Sequence, residues 1–160
     1  MSTEADVLRC GYDVGFFDKS DIERWADCQI TAIDNPPTEL LDLSMVRQTH
    51  PIDVMNLLRT LGAVDPATTI QIQIGFLGLL REKHKINTQL AIRGLWALVH
   101  ESGITQEEES QIYYLDDGFD LAITGTYGTI HDIERDLNDF VSPYAKRLVQ
   151  QYPQLIPSTK

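Results

Sequence analysis

Helix start and stop signals recur from one end of this chain to the other, and they favour an all-helical fold. Asn87 and Thr105 are typical N-caps, and each stands before a run whose apolar residues repeat every three or four positions. Ser20 stands three residues before Glu23, the spacing of a capping box. We therefore predict that amphipathic helices begin at each of these positions.

One apolar segment shows a pattern that two kinds of structure share. Isoleucine and glutamine alternate over residues 70–74, as in a strand, but the apolar run continues to Leu80. No second strand-like segment exists to pair with it. The segment is therefore predicted to be a buried central helix.

The end of the chain is predicted to contain two more helices. Thr129 caps the first, and Ser142-Pro143 begins a separate short helix that ends near Tyr152-Pro153. No linker rich in glycine, serine or proline divides the chain. We predict one all-α domain over residues 1–153, a compact bundle of seven to eight helices, followed by a loose tail over residues 154–160.

The overall charge limits the classes of partner. With 13 Lys and Arg against 24 Asp and Glu, the formal net charge is -11. Phosphate repels such a chain, which argues against direct nucleic-acid binding and against anionic membranes. No signal peptide or membrane-spanning run is seen, so a cytoplasmic protein is expected. Cys10 and Cys28 form no CxxC pair, and two buried thiols in a reducing compartment are expected.

No motif for catalysis, a metal or a cofactor stands out. No histidine has a glutamate three residues before it, as a di-iron bundle requires, and His131 with Glu134 is too small a set. The acidic cluster over residues 116–120 lacks the ligand spacing of a calcium loop. No G-x-S-x-G or phosphate-binding loop occurs. No cofactor and no metal are therefore predicted.

The acidic charge is concentrated in one region. Residues 101–140 contain eleven acidic residues and one arginine, whereas residues 81–100 contain four basic residues and one glutamate. On the helix after Thr105, one face carries Glu109, Tyr113, Asp116 and Asp120. A tyrosine among carboxylates suits a basic protein partner, because the ring supplies buried area and the charges steer association. The alternative reading is a tyrosine half-buried at the edge of the core.

The predicted partner-binding surface has a centre and a periphery. The centre is Tyr113, Asp116, Asp117 and Asp120, and the periphery is Glu108, Glu109 and Asp136.

A resemblance adds to this interpretation. It rests on Gly11-Tyr12 with Gly15-Phe16-Phe17, on Asp21-Ile22 with Trp25-Ala26-Asp27, and on Asp34-Asn35-Pro36-Pro37 with Leu40-Leu41-Asp42-Leu43-Ser44. This stretch resembles a segment of small bacterial proteins, and some similar small acidic helical proteins are immunity proteins of polymorphic or contact-dependent toxin systems. The resemblance implies a protein that binds and neutralises a toxin. It is confined to residues 11–44, carries no catalytic motif and transfers no binding residue.

Three hypotheses remain open. The first is a non-enzymatic protein-binding module, most concretely an immunity protein that uses the acidic helical face. The second is an adapter or regulatory subunit of a bacterial complex that binds its partner around Trp25 and the Pro36-Pro37 turn. The third is an enzyme in which distant carboxylates converge in a pocket.

Overall fold

The computed structural model describes residues 2–156 and confirms the all-α fold class. Over those residues the chain forms eight α-helices and a short 3-10 helix at Val46–Gln48. The α-helices are α1 (Ser2–Asp13), α2 (Lys19–Ala32), α3 (Thr38–Leu43), α4 (Pro51–Leu61), α5 (Pro66–Glu82), α6 (Thr88–Leu98), α7 (Gln106–Ile123) and α8 (Ile130–Gln151).

The contacts between these helices form two compact units. The first unit ends at Val64 and contains α1 to α4, and the second begins at Asp65 and contains α5 to α8. The single domain over residues 1–153 stays a prediction. No helix of the described chain is long and apolar enough to cross a membrane.

In the first unit α1 packs against α4, and it buries a polar residue as it does so. The Asp6 side chain is completely buried, lies 2.6 Å from the Arg9 guanidinium and accepts a hydrogen bond from the Val64 amide. A buried carboxylate needs such partners, because leaving it unpaired is costly. The sequence patterns did not indicate α1, since Asp6 interrupts the apolar spacing of its inner face.

The second helix begins two residues earlier than its sequence predicts. Its N-cap is Asp18, whose carboxylate accepts from the Asp21 amide while the Asp21 carboxylate accepts from the Asp18 amide, both at 3.0 Å. The predicted capping box of Ser20 and Glu23 is therefore wrong. Two overlapping cap signals lie here, and Asp18 is the residue with the extended backbone that an N-cap needs.

The two cysteines lie in different environments. Cys10 is fully buried, as expected, and burial raises the pKa of its thiol to about 12. Cys28 is exposed, so the expectation of two buried thiols is wrong for this residue. It lies on the outer side of α2, beside the exposed Asp27.

In the second unit α5 is the central helix, which confirms the prediction for the apolar segment. It is buried on nearly all sides from Ile70 to Leu80, as a helix that is apolar all round must be. Two glycines let α8 approach it closely. A Cβ on Gly75 would lie 3.0 Å from the carbonyl oxygen of Tyr144, and one on Gly78 would lie 3.2 Å from the Cβ of Ala145.

The last helix is one continuous element, not two. α8 runs from Ile130 to Gln151 and contains Pro143, so the predicted break at Ser142-Pro143 is wrong. Pro143 lies on the exposed side of α8, while Val141 and Ala145 are buried. Packing against α5 on both sides of the proline offsets the one backbone hydrogen bond that it removes.

After Tyr152 the chain exposes Pro153 and Gln154 and then buries Ile156. The amides of Leu155 and Ile156 both donate to the carbonyl of Tyr152, and Ile156 is 1% exposed. The loose tail predicted from Gln154 stays a prediction, because residues 157–160 lie outside the described residues.

Candidate protein-binding surface

The acidic helix α7 begins with a complete capping box. Thr105 accepts a hydrogen bond from the Glu108 amide at 3.2 Å, and the Glu108 carboxylate accepts from the Thr105 amide at 2.9 Å. Three glutamates, Glu107 to Glu109, lie in the first turn, where negative charge is favoured by the helix dipole. This start confirms the predicted cap and fixes which residues of α7 face outwards.

Glu108 is not part of the outer surface. Its side chain is 5% exposed, and it also accepts a 2.9 Å hydrogen bond from the hydroxyl of Tyr144 on α8. Burial and the bond to Glu108 raise the pKa of the Tyr144 phenol to about 12. Glu108 therefore joins α7 to α8, and it is left out of the surface proposed below.

Along one edge of α7 lie the residues predicted to share a face: Glu109, Tyr113, Asp116 and Asp120. The hydroxyl of Tyr113 donates to Glu109 at 3.3 Å, and its ring meets the edge of Trp96 on α6 with the centroids 5.1 Å apart. One turn further, burial and the neighbouring charge of Asp120 raise the pKa of Asp116. Tyr113 is 37% exposed, so both readings of this residue hold in part: it packs against α6 and still reaches the surface.

Asp136, at the periphery of the predicted surface, bonds Tyr114 rather than a residue of the predicted centre. Its carboxylate accepts a 2.8 Å hydrogen bond from the hydroxyl of Tyr114, which raises the pKa of that phenol. Tyr114 projects from α7 about 100° around the axis from Tyr113, because a helix has 3.6 residues per turn. The structure therefore divides the predicted set between two edges of α7, and the exposed Asp117 belongs to its outer face.

A groove of about 660 Å³ follows the boundary between α7 and α8. Four carboxylates line it: Glu107, Glu108, Asp136 and Asp139. Three aromatic rings line it as well: Tyr114, Phe140 and Tyr144. The described lining residues include no lysine, arginine or histidine. Carboxylates beside aromatic rings suit cationic side chains, which both kinds of group attract.

Beyond the groove, the turn between α7 and α8 exposes apolar side chains. Tyr127 is 78% exposed, Ile130 is 45% exposed and Leu121 is 40% exposed. Tyr127 lies in a turn bounded by Gly125 and Gly128, both with positive φ. The amide of Tyr127 donates to the Leu121 carbonyl at 3.3 Å, which fixes the turn against the end of α7. No pattern in the sequence marked Leu121 or Tyr127, although an aromatic residue between two turn glycines is a usable signal for an exposed ring.

The basic residues near this surface are few and paired. Arg135 lies 3.2 Å from Asp136 and 3.4 Å from Asp132. By contrast, no lysine or arginine of the described chain forms an ion pair with Asp117 or Asp120. The outer face of α7 therefore keeps uncompensated negative charge.

Other residues considered for chemistry have structural partners. Glu134, which shares a helix with His131, accepts from the Thr88 hydroxyl at 2.9 Å and lies 3.7 Å from Arg81. Among the described residues, no three His, Cys, Asp or Glu side chains are grouped so as to hold a metal ion.

Of the surface named in the second hypothesis, Trp25 is inaccessible, whereas the Pro36-Pro37 turn is half-buried. Trp25 is 7% exposed, and its Nε1 donates to Glu4 at 3.2 Å, so Trp25 belongs to the core of the first unit. A separate groove of about 620 Å³ lies in that unit, lined by residues from Thr38, directly after the Pro36-Pro37 turn, to Thr60. It also exposes Met45.

Comparisons with protein-family models, with curated proteins and with solved structures found no significant match to this chain. The resemblance of residues 11–44 to a segment of small bacterial proteins stays a prediction.

Proposed function

We propose that this chain is a non-enzymatic protein-binding module, and most concretely an immunity protein that neutralises a toxin. It covers a basic surface that the toxin uses for its own substrate. The contact is made by the outer face of α7 and the neighbouring part of α8. Asp116, Asp117 and Asp120 lie there on α7, with Tyr113 at the α6 edge and Asp136 on α8.

One observation carries this proposal: the outer face of α7 presents carboxylates that no basic residue of the described chain pairs with. Such charge destabilises the folded chain by self-repulsion. Burial first, and then the charges of Asp120 and Asp117, raise the pKa of Asp116. A partner with a basic surface relieves that repulsion. The same charge steers the encounter, which raises the association rate by about 10- to 1000-fold.

The exposed tyrosines supply the short-range part of the contact. Tyr114 is 52% exposed and is held in place by Asp136, and Tyr113 is held by Trp96 and Glu109. A ring fixed before binding loses little conformational entropy on binding. Tyrosines of this kind are common among the residues that dominate protein interfaces.

Co-expression with the product of the adjacent upstream gene tests the proposal. We expect the two proteins to co-purify and the toxicity of that product to be abolished. The double variant Asp117→Lys/Asp120→Lys is expected to lose the complex and the protection. Absence of any toxin gene next to this one would contradict the immunity function.

A matched control keeps this test specific. Asp27→Lys/Asp34→Lys makes the same change of charge at two exposed positions of the first unit that do not line its groove. It is expected to keep both the complex and the protection. If both double variants weaken the complex equally, net charge rather than the α7 face is responsible, and the proposed surface is wrong.

A second candidate function is an adapter subunit that binds through the groove of the first unit. The exposure of Met45, 71%, beside that groove favours it. Met45→Ser would then weaken binding, and high salt would not. The acidic-face proposal predicts the opposite for both measurements.

A further inference from the structure

The turn patch is formed by Tyr114, Leu121, Tyr127 and Ile130, at the end of the boundary between α7 and α8. Tyr114 bonds Asp136 on α8, and one turn later a Cβ on Gly118 would meet the side chain of Ile133. Leu121 is the next residue on that side of α7, so it lies beside the start of α8 at Ile130. The Tyr127 phenol lies close enough to Tyr114 to contribute to its raised pKa.

This patch has the composition of an interface centre. Its four side chains are between 40% and 78% exposed, although burying each of them would be favourable. The two helices that carry it also carry carboxylates, Asp117 on α7 and Asp132 and Asp136 on α8, and Asp136 bonds Tyr114. Arg135 lies beside them and pairs with both α8 carboxylates.

The patch continues into the acidic groove, because Tyr114 and Asp136 belong to both. From Ile130 to Tyr144 the combined surface is about 20 Å long, since a helix rises about 1.5 Å per residue. Two neighbouring helices present between them a groove into which a third helix packs. A helix that packs there needs apolar residues that face the turn patch and basic residues that face the carboxylates of the groove.

We propose that the turn patch and the adjoining groove bind a basic amphipathic helix of the partner protein. Its apolar residues pack on Tyr127 and Leu121, and its lysine or arginine side chains enter the groove between the carboxylates and the rings. The inference rests on the proposed function, because it places the partner on the same face. It adds an apolar centre that the charge pattern does not show.

A synthetic peptide of defined composition tests this without the natural partner. The probe is a helix of about 18 residues with lysines on one face and leucines on the other. Fluorescence anisotropy measures its binding to the full chain, and a peptide with glutamate at every lysine position is the reference. We expect saturable binding of the lysine peptide and none of the glutamate peptide. Absence of saturable binding of the lysine peptide would overturn the inference.

Variants locate the binding. Tyr127→Ser changes a side chain that is 78% exposed, so the fold should tolerate it, and it is expected to weaken peptide binding about tenfold. The variant Ile52→Ser removes one exposed apolar side chain of the first unit, outside its groove, as a matched control. It is expected to change binding less than about twofold. Equal losses of peptide affinity in the two variants would contradict binding at the turn patch.

The result separates this inference from the proposed function. A chain that neutralises the neighbouring gene product but does not bind the peptide keeps the proposed function and refutes the helix-binding site. A chain that binds the peptide at Tyr127 but has no toxin partner keeps the site and refutes the immunity function.

Discussion

The hydroxyl of Tyr144 on α8 donates a 2.9 Å hydrogen bond to the buried carboxylate of Glu108 on α7. The same carboxylate caps its own helix through the amide and hydroxyl of Thr105, both at 2.9 Å. One side chain therefore fixes both the start of α7 and its position against α8. The groove and the acidic face depend on that arrangement.

Removing this bond is expected to destabilise the fold, and the losses from changing Tyr144 and Glu108 are not expected to add. Tyr144→Phe should lower the free energy of unfolding by about 1 kcal/mol, because a bond to a charged acceptor is lost from a partly buried site. Glu108→Ala should cost about 2 kcal/mol, since the capping box is lost as well. Urea unfolding of the two variants and of the double variant measures the coupling. Strictly additive losses would contradict a direct bond between the two residues.

The raised pKa of Tyr144 also predicts a dependence on pH. Its phenol has a pKa of about 12 in the folded chain against an ordinary value of 10. The contribution of Tyr144 to the free energy of unfolding is therefore complete below pH 10. It is lost as the pH rises towards 12, because the unfolded chain releases the phenol proton first. Tyr144→Phe should lose less stability over this range than the unchanged chain. Parallel unfolding curves for the two proteins between pH 10 and 12 would refute this.

Two helical glycines that face α8, Gly75 on α5 and Gly118 on α7, differ in what surrounds them. Gly75→Ala would place a methyl group 3.0 Å from the backbone oxygen of Tyr144, so it should destabilise by about 1–3 kcal/mol despite the helix propensity of alanine. Gly118→Ala would meet only the end of the Ile133 side chain, which can rotate away. Thermal unfolding is expected to show the larger loss for Gly75→Ala. The reverse order would show that α5 and α8 are not packed as described.

The two cysteines should differ in reactivity. Alkylation of the folded chain at pH 8 is expected to modify the exposed Cys28 and to spare Cys10, whose thiol is buried with a pKa of about 12. Unfolding in urea should make both thiols reactive. Mass spectrometry of the Cys28→Ser variant provides the control, because its folded form should take up no label.

Much of the fold could be predicted from the sequence because helix caps act locally. Asn87, Thr105 and Thr129 each accept the expected hydrogen bond, and Pro51 occupies the first position of α4. The predictions fail where tertiary packing, and not the local sequence, determines the structure. Pro143 lies inside α8 because neighbouring side chains pack against α5, and no local pattern shows that.

The candidate surface was predictable in its charge but not in its geometry. Acidic residues over 101–140 can be counted, and helical spacing aligns Glu109 with Tyr113. The sequence could not show that Glu108 turns inwards to Tyr144, since that contact spans 36 positions. For the same reason Asp136 was grouped with Tyr113 although it bonds Tyr114.

The dependence of the association rate on ionic strength is the most direct test of binding through the acidic face of α7. Stopped-flow mixing of the chain with the neighbouring gene product measures it. The unchanged chain should associate rapidly at low salt and lose about tenfold or more in rate at high salt, whereas Asp117→Lys/Asp120→Lys should be slow and nearly insensitive to salt. The same salt dependence in both proteins would contradict the proposal that this face meets the partner.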